Sequence, residues 1–381
     1  MPLAFVLSLS AALHLYIGAR IVPAIPGHFA AALVGLMLIA SSVLVPTGFF
    51  ARRLAKPRVA ATLTWAGFVF IGLFSSLLVL TVLRDALLLA GSILNVAIAS
   101  ALPIDALRAD SAIAVPLLGI AATFLGYVNA RRTAAVVNLE VPVPGLPAAL
   151  HGFTIVQITD IHVGPTIGYR YVEAIVEAVN RLRPDVVAIT GDLVDGSVAE
   201  LASQVAPLAR LVSRHGVYFV TGNHECYSGV DAWLAQFRRL GMTVLHNEHV
   251  VISHGGAKLV LAGVPDYSGG HFDSAHRSDP QAALAGAPAD AAVKILLAHQ
   301  PRSAAAAERA GFDLQLSGHT HGGQFLPWTF LVRLQQPFTA GLHRIGRLRV
   351  YVSRGTGYWG PPKRLGAPSE ISEVRLTRPT P

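Results

Sequence analysis

Long apolar segments fill the first third of the chain. Four of them carry no ionised side chain, or only Arg20: Pro2–Ile25, Phe29–Phe50, Val59–Leu83 and Ser111–Ala130. Each is close to the roughly 20 residues that an α-helix needs to cross the hydrocarbon core of a bilayer. One such segment could be a buried helix of a soluble protein. Four in series predict a helical membrane domain of about four spans, over residues 1–133.

The segment Leu87–Pro103 fits this pattern less well. It is apolar, but Arg84 and Asp85 leave no room for a turn after the third span. We predict an interfacial or re-entrant helix here, with a fifth crossing as the alternative. The first apolar segment has no basic region before it, so we do not expect a cleaved signal peptide.

Basic residues in the short loops predict the orientation of the spans. One side holds six of them: Arg52, Arg53, Lys56, Arg58, Arg131 and Arg132. The other side holds three: Arg20, Arg84 and Arg108. Basic loops stay in the cytoplasm, so both termini and the second domain are predicted on the cytoplasmic side of the cell (inner) membrane. A fifth crossing would reverse this orientation.

From about residue 134 short apolar strands alternate with helices. Phe153–Thr159, Asp185–Thr190 and Val217–Thr221 are typical of buried strands, and Tyr169–Leu182 has the apolar spacing of a helix. Further strands are predicted at Thr243–Leu245, Val250–Ser253, Lys258–Ala262, Val293–Ala298, Leu314–Leu316 and Leu348–Ser353. This alternation predicts an α/β domain with substantial parallel pairing over residues 134–381.

The composition agrees with a membrane half and a water-exposed half. Of the 381 residues 52% are hydrophobic and only 14% are charged, against about 25% charged in soluble domains. The single cysteine, Cys226, excludes an intramolecular disulfide. The formal charge of +8 suits anionic partners, either phospholipid headgroups or phosphate substrates. We expect no nucleic-acid partner.

Polar clusters directly follow five of the predicted strands. They are Asp160–His162, Gly191–Asp195, Gly222–Glu225, His299 and Gly318–His321. Because ligands bind beyond the carboxyl ends of strands in open α/β sheets, we expect the clusters to meet. Carboxylate, amide oxygen and imidazole together favour manganese, iron, zinc or magnesium. Residues two apart in a strand or tight turn can face one site, and one aspartate can bridge two ions.

The five clusters resemble the sequence blocks of the calcineurin-like metallophosphoesterases, D-x-H, G-D-x-x-D, G-N-H-[DE], a lone H and G-H-x-H. All five occur in order as DIH, GDLVD, GNHE, AHQ and GHTH. The membrane segments, the GHTHGGQ run and the tail SRGTGYWGPPKRLGAPSEI are similar to the bacterial transmembrane branch of that family. The resemblance implies a sandwich of two mixed β-sheets flanked by helices, and a metal-dependent hydrolase of phosphate esters.

The resemblance also implies a role for each matched residue. The first ion would be bound by Asp160, His162 and His321. The second would be bound by Asn223, His299 and His319, and Asp192 would bridge both. His224 would stabilise charge or protonate the leaving oxygen, with Glu225 orienting it. A hydroxide between the two ions, manganese for preference, would be the nucleophile.

Several polar residues fall outside these assignments. Asp195 is expected to fix its loop and not to bind metal. Ten histidines match no block and are expected to be structural or superficial: His14, His28, His151, His215, His246, His249, His254, His271, His276 and His343. Of these, His271 and His276 could line the rim of the site. Near Tyr358 and Trp359, three basic residues could contact substrate phosphate or anchor the membrane surface: Arg354, Lys363 and Arg364.

Three function classes follow from these observations. The leading one is a membrane-anchored hydrolase of phosphodiesters or diphosphates. Protein phosphatases of the family carry arginine where this chain has Gly196, which disfavours a phosphoprotein substrate. A UDP-2,3-diacylglucosamine diphosphatase of lipid A synthesis is an alternative by analogy. A non-catalytic metal-binding sensor or scaffold is disfavoured by the complete ligand set, and a transporter by the lack of charge within the spans.

Overall fold

The computed structural model describes residues 3–54, 57–98 and 102–379 and consists of two compact units. The helical unit comprises Met1–Arg131 and Gly360–Leu365, and the sheet unit comprises Arg132–Trp359 and Gly366–Pro381. The sequence suggested a single division between residues 133 and 134. Nothing in the sequence indicated that six residues near the C-terminus belong with the helices.

Four long helices form most of the helical unit. They are α1 Leu3–Ile21, α2 His28–Leu54, α3 Pro57–Ala97 and α4 Ile104–Arg131. All four are long and apolar enough to cross a membrane. Large apolar side chains such as Leu15, Leu36 and Phe124 point outward from them. Such a surface is unfavourable in water and normal against lipid.

Helix α3 corrects the prediction for Leu87–Pro103. The helix runs without a break through Arg84 and Asp85 to Ala97, so most of that segment prolongs the third helix. In the described residues it is neither a separate interfacial or re-entrant helix nor a fifth crossing; residues 99–101 lie outside the description. With about 1.5 Å of rise per residue, α3 is roughly 60 Å long, twice the thickness of a bilayer core.

Helix α3 can continue through Arg84 and Asp85 because residues of neighbouring helices form hydrogen bonds with both side chains. Asp85 Oδ2 accepts hydrogen bonds from Tyr16 Oη at 2.9 Å and Arg20 Nε at 2.7 Å. Arg84 Nε donates to Ser111 Oγ at 2.9 Å. Residues of α1, α3 and α4 therefore form one polar network.

The segment Gly360–Leu365 is held inside the helical unit by hydrogen bonds. Lys363 Nζ donates to the carbonyl of Gly72 at 2.7 Å, and the N–H of Arg364 donates to the carbonyl of Gly126 at 2.8 Å. The missing side chains of these two glycines leave room for the lysine stem. Lys363 and Arg364 are only 2% and 1% exposed, so neither can act as a surface contact for phosphate or headgroups.

The sheet unit is built from two six-stranded mixed sheets flanked by helices, as predicted. Its strands are β1 Ala135–Pro142, β2 Thr154–Ile158, β3 Val186–Ile189, β4 Val217–Phe219, β5 Thr243–Val244, β6 Glu248–His254, β7 Ala257–Gly263, β8 Val293–Leu297, β9 Leu314–Ser317, β10 Gly341–Ile345, β11 Leu348–Val352 and β12 Glu370–Thr377. Its α-helices are α5 Tyr169–Leu182, α6 Val198–Val205, α7 Asn223–Tyr227, α8 Val230–Arg239, α9 Pro280–Ala283, α10 Ala304–Ala310 and α11 Trp328–Leu331.

Parallel pairing brings the predicted clusters to the same strand ends. The first sheet has the order β1-β12-β2-β3-β4-β5, and β2 to β5 are parallel. The second has the order β10-β11-β9-β8-β7-β6, and β7, β8, β9 and β11 are parallel. Buried side chains such as Ile155, Val186, Ile295 and Leu316 form the core shared by both sheets. The clusters that follow β2, β3, β4, β8 and β9 are thereby positioned to converge.

Candidate metal centre

Five of the seven predicted ligands have left-handed backbone conformations. Their φ angles are 55° at Asp160, 55° at His162, 53° at Asp192, 72° at His319 and 51° at His321. Each such conformation costs a non-glycine residue about 1–3 kcal/mol and tends to occur at functional sites. The D-x-H and H-x-H spacings therefore work through tight turns, the second of the two geometries expected, and not through extended strands.

The first group of potential ligands comprises Asp160, His162 and His321. Their ligand atoms all lie within 4.8 Å of one another. His321 Nε2 is 3.0 Å from His162 Nε2 and 3.4 Å from Asp160 Oδ1. The backbone N–H of His319 donates to the same carboxylate at 3.0 Å, so the loops after β2 and β9 meet here.

The second group comprises Asp192, His299 and His319, again with ligand atoms within 4.8 Å of one another. His299 Nε2 is 3.1 Å from Asp192 Oδ2 and 3.3 Å from His319 Nδ1. Because His299 Nδ1 donates to the carbonyl of Thr190 at 2.7 Å, its Nε2 is the nitrogen left for a metal. Burial, followed by the charge of His299, lowers the pKa of His319 to about 3, which keeps this ring neutral.

Asn223 supplies an independent sign that a cation belongs here. Its Oδ1 is buried and has no hydrogen-bond partner among the described residues. An unsatisfied buried acceptor costs about 1–3 kcal/mol, and a metal ion would satisfy it. The next residue donates its backbone N–H to Asp192 Oδ1 at 2.8 Å, so the asparagine adjoins the second group. The residues present thus fit a divalent cation.

Asp192 lies between the two groups. Its Oδ2 is 3.8 Å from His162 Nε2 in the first group and 3.1 Å from His299 Nε2 in the second. Burial opposes the charge on this carboxylate, but His299 and His224 outweigh it and hold the pKa of Asp192 well below its ordinary value. Burial raises the pKa of the neighbouring Asp160. Two neighbouring buried carboxylates favour the binding of cations.

Glycines next to the ligands leave space for these carboxylates. A Cβ atom at Gly222 would collide with Asp192 Oδ1, and one at Gly318 would collide with Asp160 Oδ2. The C-terminal tail also supports the site, because the N–H of Gly357 donates to the carbonyl of Asp160 at 3.0 Å. No pattern in the sequence predicted that contact.

Asp195, expected to fix its loop, contacts two of the predicted site histidines. Its Oδ1 is 2.7 Å from His224 Nδ1 and 2.9 Å from His162 Nδ1, so one oxygen positions both rings. Burial disfavours the charged form of His224, but Asp192 and Asp195 outweigh burial and raise its pKa to about 9. The signal for this role was the second aspartate of GDLVD.

Among the described residues no hydrogen bond joins the Glu225 carboxylate to the ring of His224 that it was expected to orient. The carboxylate accepts the backbone N–H groups of Gly222 at 2.7 Å, Asp192 at 3.0 Å and Leu193 at 2.7 Å. It therefore fixes the two loops that follow β3 and β4. Burial, followed by the charge of Asp192, raises the pKa of Glu225 to about 7.

Exposed aromatic side chains surround His224. The ring of Tyr227 lies 5.2 Å from that of His224, the ring of Trp359 lies 5.7 Å from it, and Phe272 packs on Tyr227 at 5.4 Å. All three aromatic residues, the aromatic rim from here on, are about half exposed or more. Gln324 fixes Trp359, since its side chain bonds both the N–H and the carbonyl of that residue at 3.0 Å.

The two histidines suggested for the rim differ in position. His276 is buried, with its Nε2 3.3 Å from Asp231 Oδ1 and its ring packed on that of His246 at 5.1 Å. It therefore belongs to a cluster of its own. His271 precedes Phe272, the residue that reaches the rim.

Comparison with known proteins agrees with this geometry. A model of the calcineurin-like phosphoesterase family matches residues 153–323, the span that carries all five clusters. An uncharacterized metallophosphoesterase of Aquifex aeolicus is 36% identical over 225 residues, which cover 58% of this chain and 84% of that protein. The chain belongs to the calcineurin-like metallophosphoesterases. The predicted resemblance to this family as a whole is confirmed, and with it the assignment to metal-dependent phosphoester hydrolases, a family that typically uses two metal ions.

Two vertebrate relatives have names that describe a membrane protein. Both are named transmembrane protein with metallophosphoesterase domain, one from Danio rerio and one from Bos taurus. The first is 41% identical over 259 residues and the second 44% over 264 residues. In both comparisons the match covers 66% of this chain and 59% of the relative, so the chain spans under two thirds of their length.

Proposed function

We propose that this protein is a membrane-anchored phosphoesterase that uses two divalent ions to hydrolyse phosphodiester or diphosphate bonds. The observation that carries the proposal is the position of Asp192, whose Oδ2 faces one histidine of each ligand group. A carboxylate shared in this way is what a two-ion site requires, with Asn223, His299 and His319 completing one half and Asp160, His162 and His321 the other.

The side chains around the ions divide the remaining work. Two bound ions would lower the pKa of a water molecule and polarise the phosphate oxygens. When the P–O bond breaks, the leaving oxygen takes a proton from His224, whose Nδ1 is held by Asp195 and whose Nε2 is the nitrogen left to donate it. The carboxylate of Asp195, 2.7 Å from Nδ1, favours the protonated form of the ring. Glu225 holds the loops of Asp192 and Asn223 in register.

The donor set supports manganese as the working ion. Carboxylate and amide oxygens suit hard ions, and the four imidazoles suit iron or zinc as well. Manganese accepts both kinds of donor. We therefore propose manganese, with iron, zinc or magnesium as the ions against which it is tested.

Two features favour a substrate with an apolar group over a phosphoprotein. The aromatic rim offers stacking or acyl contacts next to His224. At Gly196 the chain has no guanidinium to grip a phosphate, and the carbonyl of this residue accepts a hydrogen bond from Trp233 Nε1 at 2.9 Å. The site thus provides more apolar than cationic contact for the substrate.

An exposed apolar segment close to the site favours a lipid-linked substrate. Leu326–Leu334 begins two residues after Gln324 and contains Trp328, Phe330 at 65% exposure and Leu334 at 81%. A contiguous apolar patch of this kind is unusual on a surface bathed by water. Tryptophan with arginine, here Arg333, is typical of the membrane interface.

A substrate panel tests the proposal. Purified full-length protein with manganese is assayed on an aryl phosphodiester, an aryl phosphomonoester, a UDP-diacylglucosamine and a phosphopeptide, with Asp192→Ala as the inactive control. We expect turnover of the diester or the diphosphate, and a UDP-lipid preference of orders of magnitude would assign the lipid A reaction. Turnover of the phosphopeptide alone would refute the interpretation of Gly196. No turnover of any ester would refute the proposed activity.

Variants of the aromatic rim test the apolar contact separately. Trp359→Ala and Phe272→Ala should lower kcat/KM for an acylated substrate by about 10–200-fold, the usual effect of a lost apolar contact. Hydrolysis of a methyl phosphoester should be unchanged, as should both reactions in the control Val212→Ala, which alters an exposed apolar residue. Equal losses on both substrates would show that the rim does not select for the apolar group.

We also propose that the sheet unit faces the cytoplasm, at the inner membrane if the protein is bacterial. The support is the larger number of basic residues in the loops on one side of the spans. This support comes from the sequence alone, because the structure does not describe the side chains of Arg52, Arg53, Lys56 and Arg58. The described residues contain four candidate spans, and an even number of crossings would put both ends of the chain on one side. A reporter fused at Pro381 should give a cytoplasmic signal, and an external signal would contradict the orientation.

A further inference from the structure

A second group of potential metal ligands lies at the opposite ends of the strands. Asp185 directly precedes β3, His215 lies two residues before β4, and His254 ends β6. Their ligand atoms all lie within 4.8 Å of one another. The catalytic clusters follow β3 and β4, whereas this group precedes them, so the two sites are at different ends of the first sheet.

One buried phenylalanine fixes both imidazole rings. Phe153 is 2% exposed; the ring of His215 stacks on it at 5.9 Å, and the ring of His254 meets its edge at 5.1 Å. His215 Nε2 and His254 Nδ1 are 3.0 Å apart. Burial, followed by the charges of His254 and Arg214, lowers the pKa of His215, which keeps its ring neutral.

The carboxylate is also held in place by groups that would not bind the metal. Asp185 Oδ2 accepts the N–H of Thr154 at 2.9 Å and its hydroxyl at 3.1 Å. Asp185 Oδ1 remains on the side of the rings, 3.9 Å from His254 Nδ1. Arg214 also approaches Oδ1 at 3.9 Å, but its side chain is 65% exposed and can turn to solvent. Hydrogen bonds of this kind orient metal ligands in proteins.

We propose that Asp185, His215 and His254 bind a zinc ion, with water as the fourth ligand. Zinc–ligand bonds of about 2.0–2.1 Å in a tetrahedron place donor atoms roughly 3.3 Å apart. The observed separations of 3.0 and 3.9 Å reach that value with shifts of about half an ångström. Binding requires a change of tautomer. The proton that lies between the two rings moves to the other nitrogen of the ring that carries it, and both histidines remain neutral.

Such an ion would connect the two sheets. His254 belongs to β6 of the second sheet, while Asp185 and His215 lead into β3 and β4 of the first. The zinc would close the sandwich at the end away from the catalytic centre. Its consequence is therefore greater stability of the sheet unit, and not turnover.

Zinc counting on the full-length protein tests the site. After dialysis with zinc, His254→Gln and His215→Gln should each bind about one ion fewer than the wild type. His249→Gln is the matched control, because His249 lies on the same strand and donates to the carbonyl of Ala283 at 2.8 Å. Both test variants should keep the wild-type turnover of an aryl phosphodiester, which shows that they fold.

Asp192→Ala separates this inference from the proposed function. That variant should still take up cobalt with the visible absorption of a tetrahedral site, and adding His254→Gln should abolish the band. Zinc should also raise the unfolding temperature of Asp192→Ala, but not that of the double variant. Neither readout needs an ester to be hydrolysed. A zinc count unchanged in both histidine variants, or a cobalt band that survives His254→Gln, would overturn the site.

Discussion

Buried polar side chains such as His14 in the helical unit have hydrogen-bond partners, whereas a buried acceptor in the candidate metal centre has none among the described residues. In the helical unit, His14 Nδ1 bonds the carbonyl of Ser10 and its Nε2 bonds Ser41 Oγ, both at 2.8 Å. In the metal centre, Asn223 Oδ1 has no such partner, and two carboxylates share one buried space. The first arrangement joins parts of the chain to each other. The second leaves a buried acceptor and two carboxylates that bound cations would satisfy.

The backbone shows the same contrast. Among the described residues before Arg132 only Gly27 has a positive φ, and the chain there is almost entirely helical. In the candidate metal centre five of the predicted ligands have positive φ. Helices in lipid must satisfy their own backbone, so they stay regular. A site can hold strained ligands because the surrounding sheets determine their positions.

The largest effect is expected from removing the shared carboxylate. Asp192→Ala should lose both ions and reduce turnover beyond the roughly 10²–10³-fold cost of a single oxyanion donor. Elemental analysis of the purified variant measures the ions, and Asp290→Ala, which alters an exposed aspartate, serves as control. Full metal occupancy in Asp192→Ala would show that this carboxylate does not link the two groups.

The next effect concerns the reaction and not the ions. His224→Ala should lower turnover by about 10²–10⁴-fold, the usual contribution of a general acid, with the metal content retained. Steady-state kinetics and elemental analysis on the same preparation check this, with His249→Ala as control. Activity within a few-fold of the wild type would remove His224 from the mechanism.

A smaller effect is expected from Asp195→Asn, which removes the charge that positions His162 and His224. Loss of such a supporting residue costs roughly 10–100-fold in metal affinity or activity. Metal titration and kinetics measure the two separately. Asp231→Asn, at a carboxylate that is 86% exposed, should have no effect. An equally small change in both variants would restore the loop-fixing role first expected for Asp195.

The smallest effect is expected in the helical unit. His14→Phe should keep the stacking on Phe74, at 4.5 Å in the wild type, but lose two hydrogen bonds. One of them, to Ser41, joins α1 to α2, and the other, to the carbonyl of Ser10, lies within α1. A hydrogen bond between membrane helices contributes about 0.6 kcal/mol, so we expect the free energy of unfolding to fall by roughly 1 kcal/mol at most. Unfolding in mixed detergent measures it, with the exposed Leu15→Ala as control. A large loss of turnover on a soluble ester would contradict a purely structural role for the polar groups of the helical unit.

Local pattern was enough for most elements of the fold. The spacing of Tyr169–Leu182 predicted α5 with its observed bounds, and the ligand clusters were found because each follows an apolar strand. The prediction for Leu87–Pro103 was wrong because the partners of Arg84 and Asp85 lie on other helices. Strand β12 was missed because its partners, β1 and β2, are distant in sequence.

The sequence by itself determined which chemical groups are available: four apolar segments long enough to span a membrane, and carboxylate, amide and imidazole side chains placed just after strands. Only the tertiary structure decided which atoms meet. His162 and His321 are separated by 159 residues and come within 3.0 Å through sheet pairing. Sheet pairing also set Asp195 against His224, whereas the packing of the helical unit buried Lys363. Residue type and periodicity are short-range properties of a chain, whereas the partner of a side chain depends on the packing of all its elements.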